Sequence, residues 1–353
     1  MRIASPETFT ADRRYRRPLA AIDEFRFTLW RDALAMKPEA VTAMTRAASA
    51  ETVAACLRIE GTDFTAPEAS RLMVKKTKLK TQAAEAAAGC ADALDLIVKS
   101  YAVMPLTEDL LRQLHRILFW HTTDGTVRGG DYKTGLDERA APGSLFFETA
   151  PASQAPALTR ELIATVNTLL TAQELHPLLT LAYFNAVFPA VSPFARGNGR
   201  LCQLMTVLIM LQQGYGWASA ASLTRLMDND KGRFITALRA TQLTLTHPAP
   251  AWEPWFDFFT DSLTRQMLEV KDRLTLLGSA GPRLSPLADF ILTQAQMKGS
   301  VTVRGLQHES RAVMATVRYH VAELVKKGLL IQCGAGPATR YSASHAAKTE
   351  TSV

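Results

Sequence analysis

Gly197, Asn198, Gly199 and Arg200 stand in a row between two apolar stretches, and their types could hold an anion. Residues 177–188 read as an apolar helix, after which Pro189 and Pro193 force an irregular connection. A second helix is expected from about Arg200, burying Leu201, Leu204, Met205, Leu208 and Leu211 at helical spacing. First-turn amides have no partner inside their own helix, and the dipole there favours negative charge. Gly197 and Gly199 would let the backbone approach a phosphate and take positive φ. Asn198 tolerates left-handed geometry and offers an amide donor, and Arg200 supplies a bidentate cation. Taken alone, the same four residues suit a plain helix-connecting turn equally well.

Other reactive side chains are scattered. Cys56, Cys90, Cys202 and Cys333 lie far apart, with no CxxC or Cys/His pairing of metal-site spacing. They read as reduced thiols, and no metal site is expected from them. His115, His121 and His176 sit on different segments and read as structural or surface histidines.

The elements that must position the loop are mostly helical, with apolar residues at three- and four-residue spacing. We divide the chain into a helical N-terminal region (1–105), a helical core (106–265), a trailing helix and GSAGP linker (266–283), a small module (284–346) and a tail (347–353). One interruption stands out, the turn-rich stretch 129–150. A β-hairpin between Tyr132 and Glu148, turning near Pro142–Gly143, fits it. A loop of that length inside a compact domain reads as a functional flap.

Composition sets the frame: 353 residues, 47% hydrophobic, 21% charged and a net charge of +7. That is ordinary for a globular chain, and no apolar run approaches the roughly 18 residues that cross a bilayer. The N-terminus lacks an apolar leader segment, so a cytoplasmic location is expected and no membrane partner. The basic clusters RRYRR (13–17) and VKKTKLK (74–80) read as solvated faces.

The segment SPFARGNGRLCQ (192–203) resembles the Fic (Fido) family signature HxFx(D/E)GNGRxxR. Further counterparts are PLTEDLLRQLHRILF (105–119), GDYKT (130–134), LHPLL (175–179), MLQQG (210–214) and WEPWFDFF (252–259), so the resemblance covers about residues 50–265. It implies a mainly α-helical Fic bundle of bacterial type with a short β-hairpin flap. The family activity is protein adenylyltransfer (AMPylation), in which ATP and Mg²⁺ serve transfer of AMP to a side-chain hydroxyl of a target protein. Carried onto this chain, Phe194, Arg196, Gly197, Asn198, Gly199 and Arg200 would hold the nucleotide or another anion. Tyr132, Lys133, Thr134, Leu145, Phe146 and Phe147 would dock an extended target segment by strand addition. CLRIEG (56–61) resembles the family's inhibitory motif (S/T)xxxE(G/N). Glu60, followed by Gly61, would then close the site by pairing with Arg200 or Arg196, with Cys56 in place of the usual hydroxyl.

Three positions depart from the pattern. Ser192 replaces the histidine that acts as general base, a role worth roughly 10²–10⁴-fold. Arg196 replaces the acid that holds Mg²⁺ and carries the wrong charge for that task, which leaves Mg²⁺ in doubt. Gln203 replaces the second arginine. Ordinary AMP transfer is therefore not expected, and a regulator that binds a phosphate-bearing ligand is. The alternative is a transferase working by a non-standard mechanism, with Arg196 in place of the metal.

Residues 284–344 read as a winged helix-turn-helix: helices at about 286–297 and 302–308, then a third capped by Ser310 with Val313, Val317, Val321 and Leu324 inward and ending at Gly328. LLIQC and TRYSA would be two strands around the GAGP turn. Arg311, Arg318 and Arg340 are its candidate DNA contacts. Homo-oligomerisation is left open.

Overall fold

The computed structural model describes residues 13–74, 79–123, 125, 127–135, 149–279, 285–310, 312–334, 336 and 339–344. It divides into two compact units with the boundary at Leu274 and Thr275. Among the described residues no helix is long and apolar enough to cross a membrane.

The first unit is helical. Its elements are α1 (Arg13–Phe25), which passes through a π turn at Arg26–Trp30 into α2 (Arg31–Met36), then α3 (Pro38–Ile59), α4 (Ala66–Val74), α5 (Gln82–Ser100) and α6 (Glu108–Leu118). Next come α7 (Ala155–Ala172), α8 (Pro177–Val191), α9 (Asn198–Gln212), α10 (Leu223–Asn229), α11 (Lys231–Gln242) and α12 (Glu253–Ser279). One hydrophobic core joins Ile22 of α1, Val53 of α3 and Leu94 of α5 to the residues of α6 to α12. The N-terminal region thus shares its core with the helices that succeed it in the chain.

At the centre, α8 and α9 are buried almost all round, the pattern of helices inside a large core. Trp255 of α12 donates its indole N–H to the Ala182 carbonyl (2.8 Å), and Gln242 of α11 donates to that of Ala186 (2.8 Å). Both bonds tie the outer helices to α8.

Three boundaries differ from the sequence reading. Helix α8 runs through Pro189 to Val191, three residues past the expected end. Proline costs a helix one internal bond, but the last carbonyls here find other donors. Ser192 N–H bonds the Phe188 carbonyl (2.9 Å), Ser192 Oγ bonds that of Pro189 (2.8 Å) and Ala150 N–H bonds that of Ala190 (2.9 Å). Helix α9 starts at Asn198, not near Arg200. The trailing helix does not begin at 266. Instead α12 is continuous from Glu253, because buried Phe256, Phe259, Leu263, Met267, Val270 and Leu274 keep helical spacing across the expected break.

The second unit contains α13 (Pro286–Lys298), α14 (Val303–Ser310), α15 (Met314–Lys326), β1 (Leu330–Cys333) and β2 (Arg340–Ala343). The strands pair antiparallel with Leu330 opposite Ala343, and Val301 bridges to Tyr341. Its own core holds Ile291, Leu306, Val317, Val321, Leu324 and Leu330. Gly328, at φ +70°, ends α15 as expected. Two expectations fail. Ser310 closes α14 and does not cap α15, and Val313 is 69% exposed. Since α14 continues to residue 310, Val313 falls in the extended link and outside the buried stripe of α15.

Candidate anion site

Glu60 is delivered to the site by the way α3 stops. Gly61 takes φ +86°, its N–H bonds the Arg58 carbonyl (3.0 Å), and Thr62 N–H bonds that of Leu57 (2.9 Å). This is a Schellman ending, which needs glycine at the left-handed position. Neighbouring helices fix the same end. Arg58 pairs with Asp228 (2.7 Å) and donates to the Phe64 carbonyl (2.7 Å), while Lys231 donates to the Arg58 carbonyl (3.0 Å).

Held there, Glu60 reaches the first turn of α9. One carboxylate oxygen accepts from the Arg200 backbone N–H (3.2 Å) and the other from Arg200 Nε (2.9 Å). Both side chains are buried, at 5% and 7% exposure. The guanidinium also lies over the Phe119 ring (5.2 Å) and donates to the Ala86 carbonyl (3.4 Å). A carboxylate therefore occupies the position at a helix N-terminus where an anion is favoured.

The loop before α9 has its own supports. Gly197 is its left-handed N-cap, at φ +78°, and a Cβ there would lie 2.8 Å from the Phe119 ring. Gly199 is helical; its need is space, since a Cβ would meet Glu60 Oε1 at 3.2 Å. Asn198 is not aimed at a ligand. Its amide donates to the Phe194 carbonyl (2.6 Å) and its Oδ1 accepts from Phe194 N–H (3.1 Å), which closes the loop. Phe194 itself is buried in a stack, 3.9 Å from His115 and 5.7 Å from Tyr132. It is a floor for the loop.

Ser192 is fully buried in left-handed backbone (φ 42°) with its hydroxyl on the Pro189 carbonyl. His115 lies beneath the loop and is also fully buried. Its Nδ1 accepts from Gly130 N–H (2.8 Å), so its Nε2–H donates to the Arg196 carbonyl (2.9 Å). Burial pushes its pKa down to about 4, against the raising effect of the Arg196 bond. His115 is thus neutral with both nitrogens engaged. His121 pairs with Asp92 (2.7 Å), and His176 caps α8 and faces Asp23 (3.2 Å). Gln203 is buried and accepts from Thr224 Oγ1 (3.1 Å). The Cys56 thiol, one turn before Glu60, is pushed up first by a hydrogen bond with Cys90 and then by burial.

Arg196 is half-buried, one residue before the N-cap, where the resemblance places an acid. Among the described residues no group of three or more His, Cys, Asp or Glu could hold a metal. Among the described residues, those at the loop, with Arg196 in the place of the acid, do not fit Mg²⁺.

The base of the expected flap is described. Lys133 N–H bonds the Pro193 carbonyl (3.0 Å), Lys133 Nζ donates to Thr149 Oγ1 (2.9 Å), and Tyr132 OH donates to Glu108 (2.9 Å). Thr134 is exposed. The hairpin with its turn at Pro142–Gly143, and Leu145, Phe146 and Phe147, lie outside the described residues, as does Arg311.

The sequence reading missed a pocket. Beside Gly199 and Glu60 lies a cavity of about 50 Å³, walled by Phe234 and Leu238 of α11, Trp255 of α12 and Gln242. Gln242 is 8% exposed, and its Oε1 is buried without a hydrogen-bond partner among the described residues.

Residues 105–210 match the model of the Fic/DOC family. These residues are a Fic domain. No curated protein matches the sequence. Among solved structures, a Fic family protein from Desulfovibrio desulfuricans matches with a TM-score of 0.60 at 17% identity, over 96% of this chain and 98% of that one. A Fic domain containing signaling protein from Bacteroides thetaiotaomicron gives 0.59 at 18%, over 73% and 97%. A fragment of C. elegans Fic-1 gives 0.58 at 16%, over 76% and 74%. At these identities the likeness shows the fold. The Fic match contains the loop, Ser192 and Arg196; Glu60 and Gln242 lie outside its span.

Proposed function

We propose that this Fic domain protein is a phosphate-ligand-responsive regulator, in which Glu60 occupies the anion seat at the start of α9 until a nucleotide displaces it. The observation that carries this reading is the bidentate hold of Glu60 on Arg200 N–H and Nε. A phosphate offers the same acceptors with more charge. The pocket beside it supplies a place for the nucleoside, since the buried Gln242 Oε1 needs a donor. At about 50 Å³ the cavity is far below the roughly 300 Å³ of ordinary ligand pockets. Entry therefore requires the end of α3 to withdraw.

Transfer of AMP to a protein hydroxyl is disfavoured by the same geometry. Ser192 is buried, His115 holds its proton on the Arg196 carbonyl, and Arg196 stands where a metal ligand would be needed. A candidate base must reach the proton it removes, and neither side chain is placed to do so.

For the second unit we read a nucleic-acid surface. Arg304, Arg318 and Lys326 line one groove between α14, α15 and the hairpin, and among the described residues no carboxylate lines it. Helices followed by a strand pair, with cations facing one groove, fit a winged-helix contact with DNA. Of the expected contacts, Arg318 lines this groove, while Arg340 donates to Ser300 Oγ (3.3 Å).

The test is equilibrium binding of labelled ATP and AMP to the full chain. Glu60→Gly is expected to bind at least ~10-fold more tightly than wild type, about 1.4 kcal/mol. Adding Arg200→Ala should abolish the gain. Equal binding to wild type and Glu60→Gly would remove the proposed role of Glu60. Label transferred covalently to protein by the wild-type chain would establish the transferase alternative.

A further inference from the structure

We propose that the groove at the C-terminal end of α9 is a ligand site for a small carboxylic acid with an apolar body. It lies at the opposite end of α9 from the Glu60 seat, about 22 Å away along a helix of 15 residues. The groove has a volume of about 580 Å³, inside the roughly 300–1,000 Å³ of small-molecule sites. One wall is a single helical face. Arg26, Trp30 and Leu34, with Phe27 and Arg31 beside them, recur every four residues through the π turn between α1 and α2. Such turns inside helices are frequent at functional sites.

The other wall is the end of α9, which satisfies its own acceptors. Gln213 N–H bonds the Ile209 carbonyl (2.9 Å), Gly214 N–H that of Leu211 (3.0 Å) and Tyr215 N–H that of Met210 (2.9 Å). Gly214 makes this ending possible at φ +82°. The Gln213 carbonyl then accepts from Arg26 Nη1 (2.7 Å). With those carbonyls taken, the strongest unused polar groups of the groove are donors.

The first donor is the Arg26 guanidinium. It lies over the rings of Phe27 (4.2 Å) and Tyr215 (4.7 Å), so both rings fix its place. A guanidinium has five N–H donors, and among the described residues Arg26 uses one, with no carboxylate paired to it. Its Nε is buried with no partner, a state that ordinarily calls for an acceptor nearby. The second donor is the Trp30 indole. The residue is only 4% exposed, and its Nε1 lies 2.9 Å from where a Cβ of Gly216 would stand on the groove wall. Among the described residues that N–H has no hydrogen-bond partner, and it is not sealed from solvent.

Charge selects the head group. No Asp or Glu lines the groove, and Arg31 pairs with Asp32 (3.2 Å), which lies outside it. One uncommitted guanidinium matches one negative charge, and a carboxylate offers the paired oxygens that a guanidinium and an adjacent N–H take up. The remaining surface selects the body. Phe27 is 58% and Leu34 49% exposed at the rim, and Tyr101 is held beside them by Gln212 Nε2 on its carbonyl (3.1 Å). A flat or branched apolar group packed there would cover these side chains.

Nitrogen-15 NMR of the full-length protein, read at the Trp30 indole N–H and titrated with 3-phenylpropionate, tests the proposal. That resonance, assigned by its loss in Trp30→Phe, should move saturably with a Kd of about 1 mM or below. The uncharged 3-phenylpropionamide and the bodiless acetate should each bind ~10-fold or more weakly. Arg26→Gln should weaken the acid ~10-fold or more, and Arg26→Lys should weaken it less. Phe27→Ser, a change at the exposed rim, should also weaken it severalfold with the circular dichroism spectrum unchanged. A Trp30 resonance unmoved at about 10 mM acid, or moved equally by acid and amide, would overturn the proposal. So would binding that survives both Arg26→Gln and Phe27→Ser.

Discussion

His115 is the side chain whose protonation the surroundings fix most tightly. Its pKa of about 4 lies below the ordinary 6.5, so the folded chain refuses a proton that the unfolded chain takes up between those values. Stability linked to His115 is therefore full above about pH 6.5 and lost as pH falls toward 4. The slope approaches one proton, about 1.4 kcal/mol per pH unit. Urea midpoints measured across that window should fall steeply for the wild type and less so for His115→Gln; parallel curves would show that His115 is not the linked group. At this scale the sequence was informative about residue types and less so about roles. Gly197 was readable as a left-handed residue, but Gly199 serves close approach, and Asn198 and Phe194 build the loop. Gln242 carried no signal in the sequence, because its unmatched oxygen exists only once α11 packs against α8.

Packing between helices depends on a few places where backbones come close. A Cβ added at Gly89 of α5 would sit 2.2 Å from the Leu118 carbonyl oxygen and 2.7 Å from its carbon, both rigid backbone at the end of α6. Gly89→Ala should destabilise the first unit by about 1–3 kcal/mol or more. Gly232 lies inside α11 with open space around it, so Gly232→Ala should stabilise by about 0.5–1 kcal/mol. Chemical denaturation of the two variants checks the contrast, and similar effects from both would contradict the close α5–α6 approach. The helices were largely legible from periodicity, since their apolar stripes survive in the structure. Their ends were less so. Pro189 reads as a stop, but satisfied carbonyls let α8 pass through it, and the sequence suggests a break near residue 266, inside α12, where the buried stripe continues.

Across the whole chain, residues 1–105 read as a region apart from the helical core at 106–265. Burial of Ile22, Val53 and Leu94 in one core with the Fic helices joins them, which no local pattern announces. The net charge of +7 is dispersed, so its effect must be sought where cations share a groove. For the second unit, DNA retention by the full chain should fall linearly in log affinity against log salt. Arg318→Ala and Lys326→Ala should each reduce that slope by about one. Retention that is weak and insensitive to both substitutions would contradict a DNA contact in that groove.

The central claim is that Glu60 stands in for a phosphate at the first turn of α9. A crystal structure of full-length Glu60→Gly grown with AMP examines that seat directly. Phosphate oxygens are expected to accept from the Arg200 backbone N–H and Nε, where the Glu60 carboxylate now accepts at 3.2 and 2.9 Å. AMP bound elsewhere, with Arg200 turned to another partner, would contradict the claim.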